Sequence, residues 1–322
     1  MKFINIPDNG SSWGAPLIYK MESESAERVD AEVTIIDEES GDTLHRKMLY
    51  GVTEAETDIA PYLRKAMNRK PYIPQRTGFV YAEGAMTVSV DAGGEKSEPR
   101  RVFRAAYDPS RAAMMTTQPQ RRIIAAGEID TVTLYATQML TATVETGEGE
   151  QSTTAEIYFP TDATPCDFFL RAEDLPEGTE RIAVTFHGDG ELLGRIEYTV
   201  VEPATAGRRV MWYNRMGGLE CYTYPLCRTI EAQAQVSVTR TAEGVTARLT
   251  GGGHRVRLTS AYETRQQYDA LHEAMFSPHV WILAGDEPEE LPLLTRRADY
   301  PEPQQLACLE LEAEQRWEGG VR

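Results

Sequence analysis

General acid–base chemistry near neutral pH falls first to histidine. The five histidines, His45, His187, His254, His272 and His279, lie far apart and in no HExxH or HxH spacing. His272 and His279 come nearest to forming a pair, but Ser277-Pro278 between them breaks the helix that would have to aim both at one metal ion. Nucleophile and phosphate motifs are missing too, since the chain has neither a GxSxG elbow nor a GxxxxGK[ST] loop. Gly251-Gly252-Gly253 joins two strand-like runs instead of opening a helix, and reads as a hairpin turn. Acidic residues number fifty, so no glycosidase-type carboxylate pair stands out, and Asp37-Glu38-Glu39 and Asp286-Glu287 read as polar loops. Cys166, Cys221, Cys227 and Cys308 form no CxxC or metal knuckle and read as reduced, mostly buried thiols. The expectation is a non-enzymatic chain with no catalytic site, no cofactor and no bound metal.

Charge points the same way. Lys plus Arg number 33 against 50 Asp plus Glu, and the net charge of −17 repels a phosphate backbone, which excludes nucleic acid as a partner. The basic doublets Arg100-Arg101, Arg121-Arg122, Arg208-Arg209 and Arg296-Arg297 read as solvated strand edges or partner contacts. No window approaches 18 consecutive apolar residues and the opening Met1-Lys2-Phe3-Ile4 lacks a secretory apolar run, so a soluble chain made in the cytosol, without membrane insertion, is expected.

The elements that would position any site are mostly strands. Val29, Ala31, Val33 and Ile35 alternate with polar residues, as do Ile182, Val184 and Phe186, then Ala232, Ala234, Val236 and Val238, then Val245, Ala247 and Leu249, and finally Leu309, Leu311 and Ala313. Turn-rich stretches separate them, and the long helices of a parallel α/β fold are missing. Two helices are expected. One is a short segment capped by Asp58 with Pro61 in its first turn, its face made by Ile59, Tyr62, Leu63 and Met67. The other spans about 260–276, with Ser260 and Glu263 as a capping box. Lapses in alternation at Tyr107-Asp108-Pro109-Ser110 and at Glu202–Gly207 divide the chain into 1–107, 108–205 and 206–322. The expected fold is mainly β: tandem antiparallel β-sandwich, immunoglobulin-like domains, then a β-sandwich or barrel-like domain with one packed helix.

The densest unusual segment runs from Val210 to Tyr224. Its apolar and aromatic residues flank Gly217-Gly218, which suits a tight hairpin. Two readings stand side by side: a packed hairpin with Trp212 in the core, or a surface on which Tyr213, Tyr222 and Tyr224 lie partly outside and anchor a protein interface. Trp212-x-Asn214-x-x-Gly217-Gly218, followed by Tyr222-x-Tyr224, resembles a segment of uncharacterised virion proteins from phages and prophages of gut Bacteroidetes. Leu271–Trp281, Pro16–Tyr19 and Asp58–Leu63 are similar to the same proteins. The resemblance implies a tail or baseplate component of the virion, made in the host cytoplasm, whose partners are other copies of itself and other virion proteins. A cell-surface adhesin or carbohydrate-binding β-sandwich protein is the alternative.

Overall fold

The computed structural model describes residues 1–25, 27–66, 70–105, 111–147, 153–241, 244–300, 302 and 305–318. The chain is 57% strand and 7% helix, arranged as tandem, predominantly antiparallel β-sandwiches.

In the first unit the strands Lys2–Asn5, Ile18–Glu22 and Glu54–Asp58 form a small sheet. It packs on a larger one centred on Val29–Asp37 and Ala85–Ala92. The alternating residues Val33, Ile35, Val88 and Val90 meet Tyr19 and Met21 in the core between them. The helix α1, Ala60–Ala66, closes one end. Asp58 Oδ1 accepts from Ala60 N at 3.0 Å and from Leu17 N at 2.9 Å, so one carboxylate caps the helix and ties it to a strand. Ile59 and Leu63 are fully buried, and Met67, expected on the same face, lies outside the described residues.

The second unit sets one sheet, centred on Ile129–Tyr135 and Cys166–Arg171, against another built from Met139–Thr146, Arg181–Gly188 and Glu191–Val201. Strand Gly78–Tyr81 pairs with Cys166–Arg171, so the first 107 residues donate a strand to the second sandwich. The expected linker at Tyr107–Ser110 lies outside the described residues, whereas Glu202–Gly207 is a loop between two strands. Every position of Ile129–Tyr135 and Cys166–Arg171 is buried. A sandwich sheet with its outer face covered needs a neighbour, and that neighbour is the third unit.

In the third unit, Arg208–Tyr213 lies between Leu219–Tyr224 and Val280–Ala284, and this sheet faces a second one made of Leu226–Thr241, Gly244–Thr259 and Glu310–Glu318. The helix α2, Arg265–His272, adds Tyr268 and Leu271 to a core that holds Trp212, Leu258 and Leu311. Its N-cap is Thr264, whose side chain accepts from Gln267 N, which corrects the expected Ser260–Glu263 box. Those two residues are engaged elsewhere: Ser260 Oγ accepts from Leu309 N at 2.8 Å, and Glu263 exchanges backbone hydrogen bonds with Ala307. Gly251–Gly253 is also corrected. It lies inside the strand Gly244–Thr259, paired on both sides near a register irregularity, and Thr241 pairs with Gly244 at the far end of the two strands. Among the described residues no helix is long and apolar enough to cross a membrane.

Candidate functional site

The Gly217-Gly218 turn is where the three units meet. Asn214 Oδ1 accepts from Gly218 N at 2.9 Å, and Asn214 N donates to Gly218 O at 2.8 Å, which closes the loop that links the two strands. Asn214 Nδ2 then reaches out to Met115 O at 2.9 Å in the second unit. Gly217 has φ +90°, and a Cβ there would lie 1.6 Å from Arg104 O; a Cβ on Gly218 would lie 1.9 Å from Met115 O. Both glycines are needed because a neighbouring backbone occupies the space of a side chain. The Asn-x-x-Gly-Gly spacing therefore encodes a joint between units as well as a turn.

A continuous polar chain runs under this joint. Glu220 is fully buried and accepts from Asn214 Nδ2 at 2.8 Å, Thr116 Oγ1 at 3.0 Å and Thr117 N at 2.5 Å. Burial pushes its carboxyl above the ordinary range in spite of these donors. Thr116 Oγ1 accepts from Arg122 Nη2 at 2.8 Å, and Arg122 Nη1 donates to Asp130 Oδ2 at 2.8 Å. Arg209 Nη2 of the third unit donates to Asp130 Oδ1 at 2.6 Å, and Tyr198 OH to Oδ2 at 3.0 Å. A cavity of about 350 Å³ opens beside this chain, bordered by Asp130, Arg209, Tyr222 and Glu263.

This arrangement corrects the solvated reading of two basic doublets. The Arg121 side chain is 89% exposed and the Arg122 side chain 3%. Arg208 is exposed and Arg209 buried. Successive residues of a strand face opposite ways, so a doublet sends one charge inward, where it needs a partner. One acid, Asp130, serves both inward arginines. A second buried acid, Asp167, receives a hydrogen bond from Thr133 Oγ1, and that oxygen accepts from Leu219 N of the third unit at 2.8 Å. Burial pushes the Asp167 carboxyl up to about 7.

The three tyrosines are not an exposed cluster. From Arg209 to Tyr213 the strand is buried on both faces, with Val210 and Trp212 in the third core and Met211 and Tyr213 in an apolar cluster shared with Phe169 and Ile129 of the second unit. Tyr213 is therefore 6% exposed and Tyr224 fully buried. Tyr222 is half-buried and donates to Glu263 Oε1 at 2.6 Å. The outward position fails for Tyr213 because the sheet's outer face is covered by the second unit, and for Tyr222 and Tyr224 because they lie on the Trp212 side, against the third unit's own core. Burial also pushes the Cys166 and Cys221 thiols up.

The exposed apolar surface lies elsewhere, on a long ribbon. Strands Leu226–Thr241 and Gly244–Thr259 pair along their whole length, and the third strand covers only Gly251–Thr259. Every residue from Arg228 to Arg240 is exposed. Ala232, Ala234, Val236 and Val238 share one side, with Ala247 paired to Val238 and Val245 to Arg240, while Gln233, Gln235, Ser237 and Thr239 take the other. Val236, Val238 and Val245 are 52%, 56% and 68% exposed. The alternation at these positions was legible in the sequence. That it faces solvent was not.

No protein-family model matches the chain, and no curated protein matches it. Solved structures align over long stretches at low similarity. A crystal structure of Dpr2 Ig1-Ig2 in complex with DIP-Theta Ig1-Ig3 aligns at 9% identity and TM-score 0.19, covering 62% of this chain and 98% of that one. Trypsin-activated alpha-2-macroglobulin from Escherichia coli aligns at 10% and 0.21, covering 98% of this chain and 22% of its own. The full extracellular region of plexin A4 aligns at 9% and 0.18, covering 94% and 38%. At such TM-scores no residue and no role carries across.

Proposed function

We propose that the chain is a non-enzymatic structural subunit of a virion, a tail or baseplate component of the phage or prophage type, which works by assembling with copies of itself and with other virion proteins. The observation that carries this reading is the ribbon. A two-stranded hairpin standing alone in water is marginal, and this one presents an apolar face and open backbone edges to solvent. Beyond the third strand, Val236–Thr241 and Gly244–Leu249 continue as six residues per strand, a reach of roughly 20 Å. Its apolar side carries few charges on a chain of net charge −17, so the arm is where identical copies meet with least repulsion. A second copy supplies a matching edge and a matching face, and the interlocked units behind the arm give it a rigid base.

The test has two parts. Analytical ultracentrifugation of the full chain should show concentration-dependent association that the pair Val236→Lys, Val238→Lys abolishes, with circular dichroism unchanged. Mass spectrometry of purified virions should find the chain at several copies per particle, with crosslinks from residues 208–322 to another subunit. Recovery at the bacterial surface bound to glycan, and absence from particles, would establish the adhesin reading instead.

A further inference from the structure

A cavity of about 940 Å³ opens where the first and third units face each other, and its walls are basic. Arg64 and Arg104 come from the first unit, and Arg215 and Arg265 from the third. Asp269 and Glu273 are the acids on the same wall. Arg265 Nε meets Asp269 Oδ1 at 3.0 Å, and Arg215 Nη1 meets Glu273 Oε1 at 3.3 Å. Neither first-unit arginine meets a carboxylate among the described residues. Arg64 donates to Trp13 O at 2.7 Å, and the Arg104 guanidinium lies 4.8 Å from the centre of the Tyr213 ring, over its face. In a chain with 50 acids against 33 bases, a cavity with two uncompensated guanidinium groups is a local reversal of sign.

Burial acts on Arg104 as well, lowering its affinity for the proton, an effect that Tyr213 opposes. Its position is held firmly. Arg104 N donates to Gly84 O at 2.8 Å, and its carbonyl is the atom pressed against Gly217. The side chain thus leaves a backbone fixed by two other segments and lies along a buried ring. At the rim stand Phe276, 75% exposed, and Tyr300, 52% exposed, which offer flat apolar surface beside the charges.

We propose that this cavity is a binding site for an oxyanion carried on a small organic molecule, a carboxylate or phosphate held by Arg104 and Arg64 while Arg215 and Arg265 close the opposite wall. Guanidinium forks match the two oxygens of either group, and a cleft with low-dielectric walls concentrates the field on it. The volume suits a ligand of one to a few rings, and Phe276 is placed to cover one of them. The site exists only when the first and third units are docked, so occupancy strengthens the joint at Gly217-Gly218. This inference does not depend on the virion reading.

The experiment is calorimetric titration of the full chain with sodium phosphate and with sodium glucuronate, against glucose and sodium chloride. At least one anion should bind at one site per chain with Kd of about 1 mM or tighter; binding by phosphate alone identifies a phosphoryl ligand, and binding by glucuronate alone a carboxylate. Arg104→Met should weaken the bound anion at least about tenfold, the usual loss for a charge-assisted hydrogen bond. Arg215→Ala, at a side chain 77% exposed, should weaken it several-fold without touching the fold, and it serves as the test if the Arg104 variant does not fold. No saturable binding by either anion, or binding equal in wild type and in Arg215→Ala, would overturn the proposal.

Discussion

Substituting Gly218 by alanine isolates the joint between units. The added Cβ would stand 1.9 Å from Met115 O, where ordinary contact begins near 3.4 Å, so the two backbones must separate by about 1.5 Å. Met115 O also accepts from Asn214 Nδ2 at 2.9 Å, and the next residue, Leu219, donates its N–H to Thr133 Oγ1 at 2.8 Å. Separation breaks both bonds in a buried interface, and each buried group left unpaired costs about 1–3 kcal/mol. With overpacking of a further 1–3 kcal/mol or so, the loss is about 3–9 kcal/mol, a large part of a typical unit's stability. Gly218 has no left-handed φ, so backbone strain adds nothing to this figure.

The control is Gly178→Ala, at φ +81° with nothing within 4 Å of the added carbon, which carries strain and no clash and should cost about 1–2 kcal/mol. Urea unfolding followed by circular dichroism reads both variants, and tryptophan fluorescence follows the first unit through Trp13 and the third through Trp212 and Trp281. Gly218→Ala should split one transition into two and speed tryptic cleavage near the exposed loop Glu202–Gly207. If Gly218→Ala loses no more stability than Gly178→Ala, the three units are not held by backbone contact at this turn.

Other outcomes follow from the buried charges. Asp130→Ala leaves Arg122 and Arg209 without their shared acid and should cost about 3–5 kcal/mol in urea unfolding, whereas Arg121→Ala, at an exposed neighbour, should change stability by less than about 0.5 kcal/mol. Asp167 is raised from 3.8 to about 7 by burial, so its contribution is fully present below pH 4 and is lost as pH rises towards 7. Over that window it removes about 1.4 kcal/mol per pH unit. Asp167→Asn should flatten this part of the stability profile between pH 4 and 7, and an unchanged slope would place the titration elsewhere.

The strands were legible because one physical rule makes them: a half-buried strand must alternate, and Val33-x-Ile35 and Val88-x-Val90 do so with clean turns on either side. The rule fails where both faces are covered. Ile129–Tyr135 carries Asp130, Thr131 and Thr133 at buried positions, and composition alone cannot distinguish these from solvated ones. The helix start slipped by four residues because Ser260-x-x-Glu263 and Thr264-x-x-Gln267 satisfy the same local pattern, and only the bond from Leu309, just ahead of the strand Glu310–Glu318, decides which serves as the cap. Gly251–Gly253 misled for a related reason. Three glycines suit a turn, but they also suit a strand that must pair on both edges through an irregular register.

The joint was half legible. Trp212-x-Asn214-x-x-Gly217-Gly218 was recognisable as a hairpin, since glycine supplies positive φ and asparagine closes tight turns. Its second task depends on Arg104 and Met115, about a hundred residues away, and no local pattern carries a contact at that distance. The tyrosines show the same limit from the other side. Pairing of Val210 with Tyr222 and Arg208 with Tyr224 places Tyr222 and Tyr224 on the Trp212 side of the sheet, so the sequence held enough to set them inside once Trp212 was taken as core. Tyr213 points the opposite way and would have been exposed in an isolated sandwich. The second unit buries one side of it through Ile129 and Phe169, and the first unit brings Arg104 over its ring and encloses the basic cavity against the third. Docking of these neighbours thus buries the Tyr213 ring that the sequence suggested as surface and creates a charged cavity that it did not.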